Sequence, residues 1–104
     1  MKISNLAVVA IVFLAPIFGQ DQKGAATFQE QCVGCHGPDG RAQTDMGKTM
    51  HAADLTSSGV QKQSDSQLSK VIKNGKGKMP SFDGKLSDDE IGGVVTYVKS
   101  LGKK

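Results

Sequence analysis

The sequence predicts a helical chain, on three observations. Ser64 with Gln67 and Ser87 with Glu90 each pair a hydroxyl with a polar side chain three positions on, the capping box that satisfies the first free N–H groups of a helix. Ahead of both, Gly24, Phe28 and Cys32 recur every four residues, the interval that brings side chains onto one helical face.

Taken in order, Met1 to Gly19 has a basic opening at Lys2 and an uninterrupted apolar run from Leu6 to Ala15, then Pro16, Ile17, Phe18 and Gly19. This is the layout of a cleaved secretory signal peptide, with the cut expected between Gly19 and Gln20. The run is shorter than the roughly 20 residues that span a bilayer, so no stable membrane insertion is expected after processing. Residues 20–104 then form one domain. A domain of this size buries little apolar surface and usually needs a disulfide, a metal or a bound group to hold its core. Without such a group the polypeptide is expected to be poorly folded.

The first helix is expected from about Gln22 to Val33, capped by Asp21. Gly24, lacking a side chain, lets another helix approach closely. Gly37 to Ser66 is rich in Gly, Ser, Asp and Thr and is expected to be loop, with one helical turn near Ala52 to Leu55. A helix capped by Ser64 carries Leu68, Val71 and Ile72 on one stripe and ends at Asn74-Gly75. The last helix, capped by Ser87, has acids in its first turn, where the macrodipole favours them. Its stripe is Ile91, Val94, Val95, Val98 and Leu101, with Tyr97 close to that face and Gly102 as the stop. Gly92 and Gly93 weaken a helix by up to about 1 kcal/mol each relative to Ala, so both are expected to meet the Gly24 face.

Between these helices lies Cys32-Val-Gly-Cys35-His36. Two cysteines three positions apart can each add a thiol across one vinyl group of a haem, and the adjoining imidazole then sits beneath the iron. Two other chemistries use Cys-x-x-Cys: a disulfide in an oxidising compartment, or a zinc site completed by His36 and His51. The adjoining histidine favours haem c, one per chain and covalently bound, with Cys32, Cys35 and His36 holding it and its iron. A buried porphyrin would also supply the apolar surface that the small core lacks.

Four side chains are candidates for the iron's other axial position: Met46, Met50, His51 and Met79. Met79 stands in Lys76-Gly-Lys-Met-Pro-Ser-Phe82, where Pro80 keeps it out of helical angles and stiffens the loop that presents it. A thioether there would stabilise ferrous iron and raise the potential, whereas a second imidazole would lower it. With both axial positions filled by protein, substrate cannot reach the iron, and electron transfer is the expected work.

The chain carries 13 basic and 10 acidic residues, a net +3. Loss of Lys2 with the leader reduces this to +2, too little to suggest a nucleic-acid binder. Lys70, Lys73, Lys76 and Lys78 nevertheless occur with no carboxylate between Asp65 and Asp83. They form a candidate surface for an acidic redox partner. Arg41 is a candidate for gripping a haem propionate.

Together these motifs make the chain similar to the small, monohaem class I c-type cytochromes of bacteria and photosynthetic organisms. The resemblance rests on Gly24 and Phe28 before Cys32-Val-Gly-Cys35-His36-Gly37, on Lys78-Met79-Pro80-Ser81-Phe82, and on Leu86-Ser-Asp-Asp-Glu-Ile91 leading to Tyr97-Val98. It implies an all-α cytochrome c fold in which the first and last helices cross over a haem-centred core. It also implies His36 and Met79 as axial ligands, and a monomeric, periplasmic single-electron carrier that is not an enzyme and serves a respiratory chain. No counterpart of the Gly-Pro pair whose carbonyl often orients the axial histidine in this family occurs between Gly37 and Ala53, and no tryptophan is available for the propionates. The competing readings are a haem-based ligand sensor or small haem enzyme with a displaceable sixth ligand, and a zinc-binding module.

Overall fold

In the computed structural model, which describes residues 19–103, a long helix from each end of the domain crosses the other at a pair of glycines. The first, α1 (Gly19–Gln31), and the last, α6 (Asp88–Leu101), meet at Gly24 and Gly93. A Cβ added to Gly24 would fall on the Gly93 carbonyl. Only bare backbone fits there, which is the close approach expected of Gly24. Gly92 takes no part: a Cβ on it would have nothing within 4 Å. Neighbouring helical residues point about 100° apart, so one of two adjacent glycines faces the partner helix and the other turns away.

Beside the crossing, Phe28 is fully buried and stacks obliquely on Tyr97, ring centroids 5.0 Å apart. Ile91, Val94, Val95, Val98 and Leu101, the predicted stripe, are all buried. Each such side chain contributes about 1.5–3 kcal/mol through removal from water, so α6 is the main wall of the core. Leu68 and Ile72 from α5 (Asp65–Asn74), together with Val60, Phe82 and Leu86, complete it.

Helix boundaries follow the caps. Ser64 and Ser87 both form full capping boxes, with Gln67 and Glu90 respectively, as the sequence predicts. Two expectations change. The first helix begins at Gly19 rather than at an Asp21 cap, and after a turn at Cys32 the chain continues as α2 (Val33–His36). Its i to i−4 bonding persists through the turn, from Cys32 N to Phe28 O and from His36 N to Cys32 O, so the haem-type motif extends α1 rather than following it. The segment expected to be loop contains two short helices, α3 (Asp45–Thr49) and α4 (Ser58–Gln61), capped by Thr44 and Ser57. Ala52 to Leu55 is not helical. Helices of four or five residues are too short for apolar periodicity to show, and only their capping hydroxyls mark them.

The described residues contain six helices and no strand beyond two isolated bridges, Lys76 with Met79 and Asp83 with Leu86. None of these helices is long and apolar enough to cross a membrane. The expected leader, residues 1–19, lies outside the described residues but for Gly19.

Gly24 of α1 and Gly92 of α6 should respond oppositely to substitution. Gly24→Ala forces α1 from Gly93 and is expected to cost about 2 kcal/mol, a melting-temperature drop on the order of 10 °C. Gly92→Ala, with open space around it, should be neutral or raise stability by up to about 1 kcal/mol; thermal unfolding of both variants checks the pair.

Candidate haem site

Directly after the α1–α6 crossing the chain delivers Cys32 and His36 to the wall of an apolar cleft. The cleft encloses about 690 Å³ of non-atom space, open solvent at its mouth included. Val94, Val95 and Val98 of α6, Leu68, Val71 and Ile72 of α5, and Phe28 of α1 line it. Met79 reaches the same cleft from the loop after α5, partly buried against the core. Thus Cys32, His36 and Met79, separated in sequence, share one lining.

The other candidates are elsewhere. Met46, Met50 and His51 are not among the lining residues, and Met46 is 53% exposed. Arg41 is exposed and turns to Asp39, its Nε 3.9 Å from the carboxylate, rather than to the cleft. Among the described residues no three His, Cys, Asp or Glu side chains gather as a metal cage, so the four ligands of a zinc site are not assembled. Both cysteines are free thiols.

His36 is oriented by a group that leaves no trace in the sequence pattern. Its Nδ1 lies 3.0 Å from the carbonyl oxygen of Ala53. A carbonyl can only accept, so Nδ1 carries the proton and Nε2 keeps its lone pair. Such a bond also raises the ring's basicity as a ligand. The Ala53 carbonyl is itself braced on both sides. Asp54 accepts from the Thr56 hydroxyl (2.6 Å) and backbone N–H (2.9 Å), which hold its carboxyl below the usual carboxylate range. Leu55 N–H donates to Gly40 O at 2.7 Å, and Gln61 Nε2 donates to both Leu55 O (2.7 Å) and Val98 O (2.9 Å), tying this loop to α6.

Burial pushes the Cys32 thiol up to about 11, with the neighbouring Cys35 adding to the effect. At neutral pH it is therefore a neutral S–H beside apolar walls.

The Met79 loop is fastened to the end of α5. Phe82 and Asp83 donate N–H to Ile72 O and Lys73 O, Ser81 Oγ donates to Lys73 O at 2.7 Å, and Lys76 and Met79 exchange both backbone bonds. The reversal depends on Gly75, at φ +79, where a Cβ would lie 2.7 Å from Met79 O and 2.9 Å from Ser81 N. Lys76 and Gln63 also line the cleft, and neither stood out there from the sequence.

Set beside known proteins, the same architecture recurs. The family model described as cytochrome c oxidase, cbb3-type, subunit III matches residues 19–98. Cytochrome c6 of Leptolyngbya boryana is 37% identical over 81 residues, covering 78% of this chain and 92% of that protein. The chain belongs to the small class I c-type cytochromes. A second cytochrome c6, from Synechocystis, is 32% identical over 96% of this cytochrome and 88% of its own length. The FixP subunit of a cbb3-type oxidase from Bradyrhizobium diazoefficiens is 35% identical, but the match spans only 27% of that longer protein. Among solved structures, the KustC0563 c-type cytochrome superposes with a TM-score of 0.69 at 30% identity, covering 75% of this cytochrome and 95% of that chain. Membership in this family gives the cytochrome one covalently bound haem c with its iron, and makes it an electron-transfer protein rather than an enzyme. The residues present fit that group: two free thiols, an imidazole with its tautomer fixed and a thioether, set on or beside an apolar cleft.

Gly75→Ala should strain the loop that carries Met79. A non-glycine residue in the left-handed region costs about 1–2 kcal/mol before the contact with Met79 is counted. Denaturant unfolding is expected to show a loss of at least that size, against about 1 kcal/mol for Ser81→Ala, which removes one hydrogen bond.

Proposed function

We propose that this cytochrome is an exported, periplasmic carrier of single electrons whose haem is held by Cys32 and Cys35 through thioether bonds and by His36 and Met79 as axial ligands. Each thiol would add its S–H across a vinyl group, a step that needs no oxidant. The observation that carries the reading is the shared lining: Cys32, His36 and Met79 border one apolar cleft, while Met46, Met50 and His51 stand away from it. When bound, the haem supplies the Fe(II)/Fe(III) couple. The protein's own part is to exclude water and to keep both ligands in place. His36 is held by Ala53, and Met79 by the brace to α5, so little rearrangement accompanies a change of charge. Export is supported by the leader pattern of residues 1–19.

Absorption spectra of the holoprotein in both oxidation states test the ligand set. Met79→Ala should abolish the iron–thioether charge-transfer band of the oxidised form and open the reduced form to carbon monoxide. An unchanged band would transfer the role to Met46 or Met50.

The lysines give the partner's chemistry. Lys70, Lys76 and Lys78 are exposed, and Lys76 also lines the cleft, whereas Lys73 is engaged with Asp88 at 3.3 Å. This basic rim fits an acidic redox partner. Electron exchange with a negatively charged protein should therefore slow as salt rises and the Debye length shortens; a rate insensitive to ionic strength would remove the lysines from the interface.

A further inference from the structure

The loop that closes beneath His36 is joined to the cysteine turn at one side chain outside the cleft. Thr44 Oγ1 lies 2.9 Å from Gly34 O and 3.1 Å from Cys35 O, and it accepts from Gly47 N–H at 2.9 Å. A hydroxyl has one proton and two lone pairs. Here the proton is shared between two carbonyls of the Cys-x-x-Cys-His turn, while a lone pair caps α3. Gly47 presses against the same turn, since a Cβ on it would fall on Cys35 O. From Gly47 the connection continues: its carbonyl accepts from Ala52 N–H at 2.9 Å, and the next residue's carbonyl receives Nδ1–H of His36 at 3.0 Å. The ring is closed on the other side by Ala42 N–H, which donates to His36 O at 2.7 Å.

We propose that Thr44 is a positioning residue for His36, acting through α3 to hold the Ala53 carbonyl against the imidazole. The inference rests on reading His36 as an axial ligand. Thr44 is not among the residues that line the cleft, and the imidazole donates its hydrogen bond to Ala53 O. Its effect travels along a closed circuit of hydrogen bonds that begins and ends on the same turn. Losing its donated proton leaves two turn carbonyls unpaired and frees α3 to drift, lengthening the bond from His36 to Ala53. A weaker bond makes the imidazole less basic, which disfavours Fe(III) relative to Fe(II).

Three variants of the holoprotein separate this role from simple capping. Thr44→Ser keeps donor and cap, Thr44→Asp keeps a cap but has no proton to donate at neutral pH, and Thr44→Val has neither. Proton NMR of the reduced protein follows solvent exchange of the His36 Nδ1–H, and potentiometry follows the oxidised-to-reduced balance. Exchange is expected to quicken on the order of tenfold in Thr44→Asp and Thr44→Val, with Thr44→Ser like wild type. The midpoint potential should rise in the same two variants, by up to about 59 mV if the balance shifts tenfold. Should Thr44→Val not fold, the contrast between Ser and Asp decides. Normal exchange and potential in Thr44→Asp, with only a lowered melting temperature, would overturn the proposal and leave His36 ligation standing. A wild-type His36 that titrates as a free imidazole would overturn both.

Discussion

The contact of bare backbone between Gly24 and Gly93 governs the geometry of this molecule. α1 runs straight into the cysteine turn, and α6 carries the valines that line the cleft. The crossing therefore fixes the distance and angle between Cys32 and His36 and the α6 wall of the cleft. Any side chain at the crossing would spread the two helices and move Cys32 and His36 away from Val94, Val95 and Val98. A small domain has few other ways to set this spacing, because one helix pair supplies most of its core.

On that frame the two faces of the site are built by different means. By His36 the support is a backbone carbonyl from Ala53, held by a side-chain turn at Asp54 and Thr56 and by the Gln61 side-chain amide bridging to α6. Met79 hangs on a short reversal that Gly75 permits and that α5 anchors through Phe82, Asp83 and Ser81. Both supports are hydrogen-bonded, and beyond Cys32 and His36 the polar side chains lining the cleft are Gln63 and Lys76. Such a lining is suited to keeping a charge carrier dry and its ligands still, which is what repeated one-electron exchange requires.

Much of this was legible beforehand because it is written in side chains. The capping boxes at Ser64 and Ser87 located α5 and α6, and the alternation of Ile91, Val94, Val95 and Val98 identified the buried face. The Cys-x-x-Cys-His run placed the turn, and of the four candidate side chains the one before Pro80, Met79, is the one that lines the cleft. What escaped was written in backbone. Every residue, whatever its side chain, offers a carbonyl, so nothing at Ala53 announces that it orients His36. α3 and α4 are too brief to leave a period, and which of Gly92 and Gly93 meets α1 depends on a rotation the pattern does not record. Arg41, the candidate for a propionate, stands beside Asp39, its Nε 3.9 Å from that carboxylate, a local pairing the sequence pattern does not record.

Haem attachment at Cys32 and Cys35 is the claim on which site, ligands and redox role converge, and intact-mass spectrometry reaches it directly. Protein purified from a host competent in haem attachment, then extracted with acid and acetone, should keep its colour and weigh one haem more than the polypeptide. The Cys32→Ala, Cys35→Ala double variant should lose that added mass. A wild-type chain that weighs as bare polypeptide after extraction would contradict it.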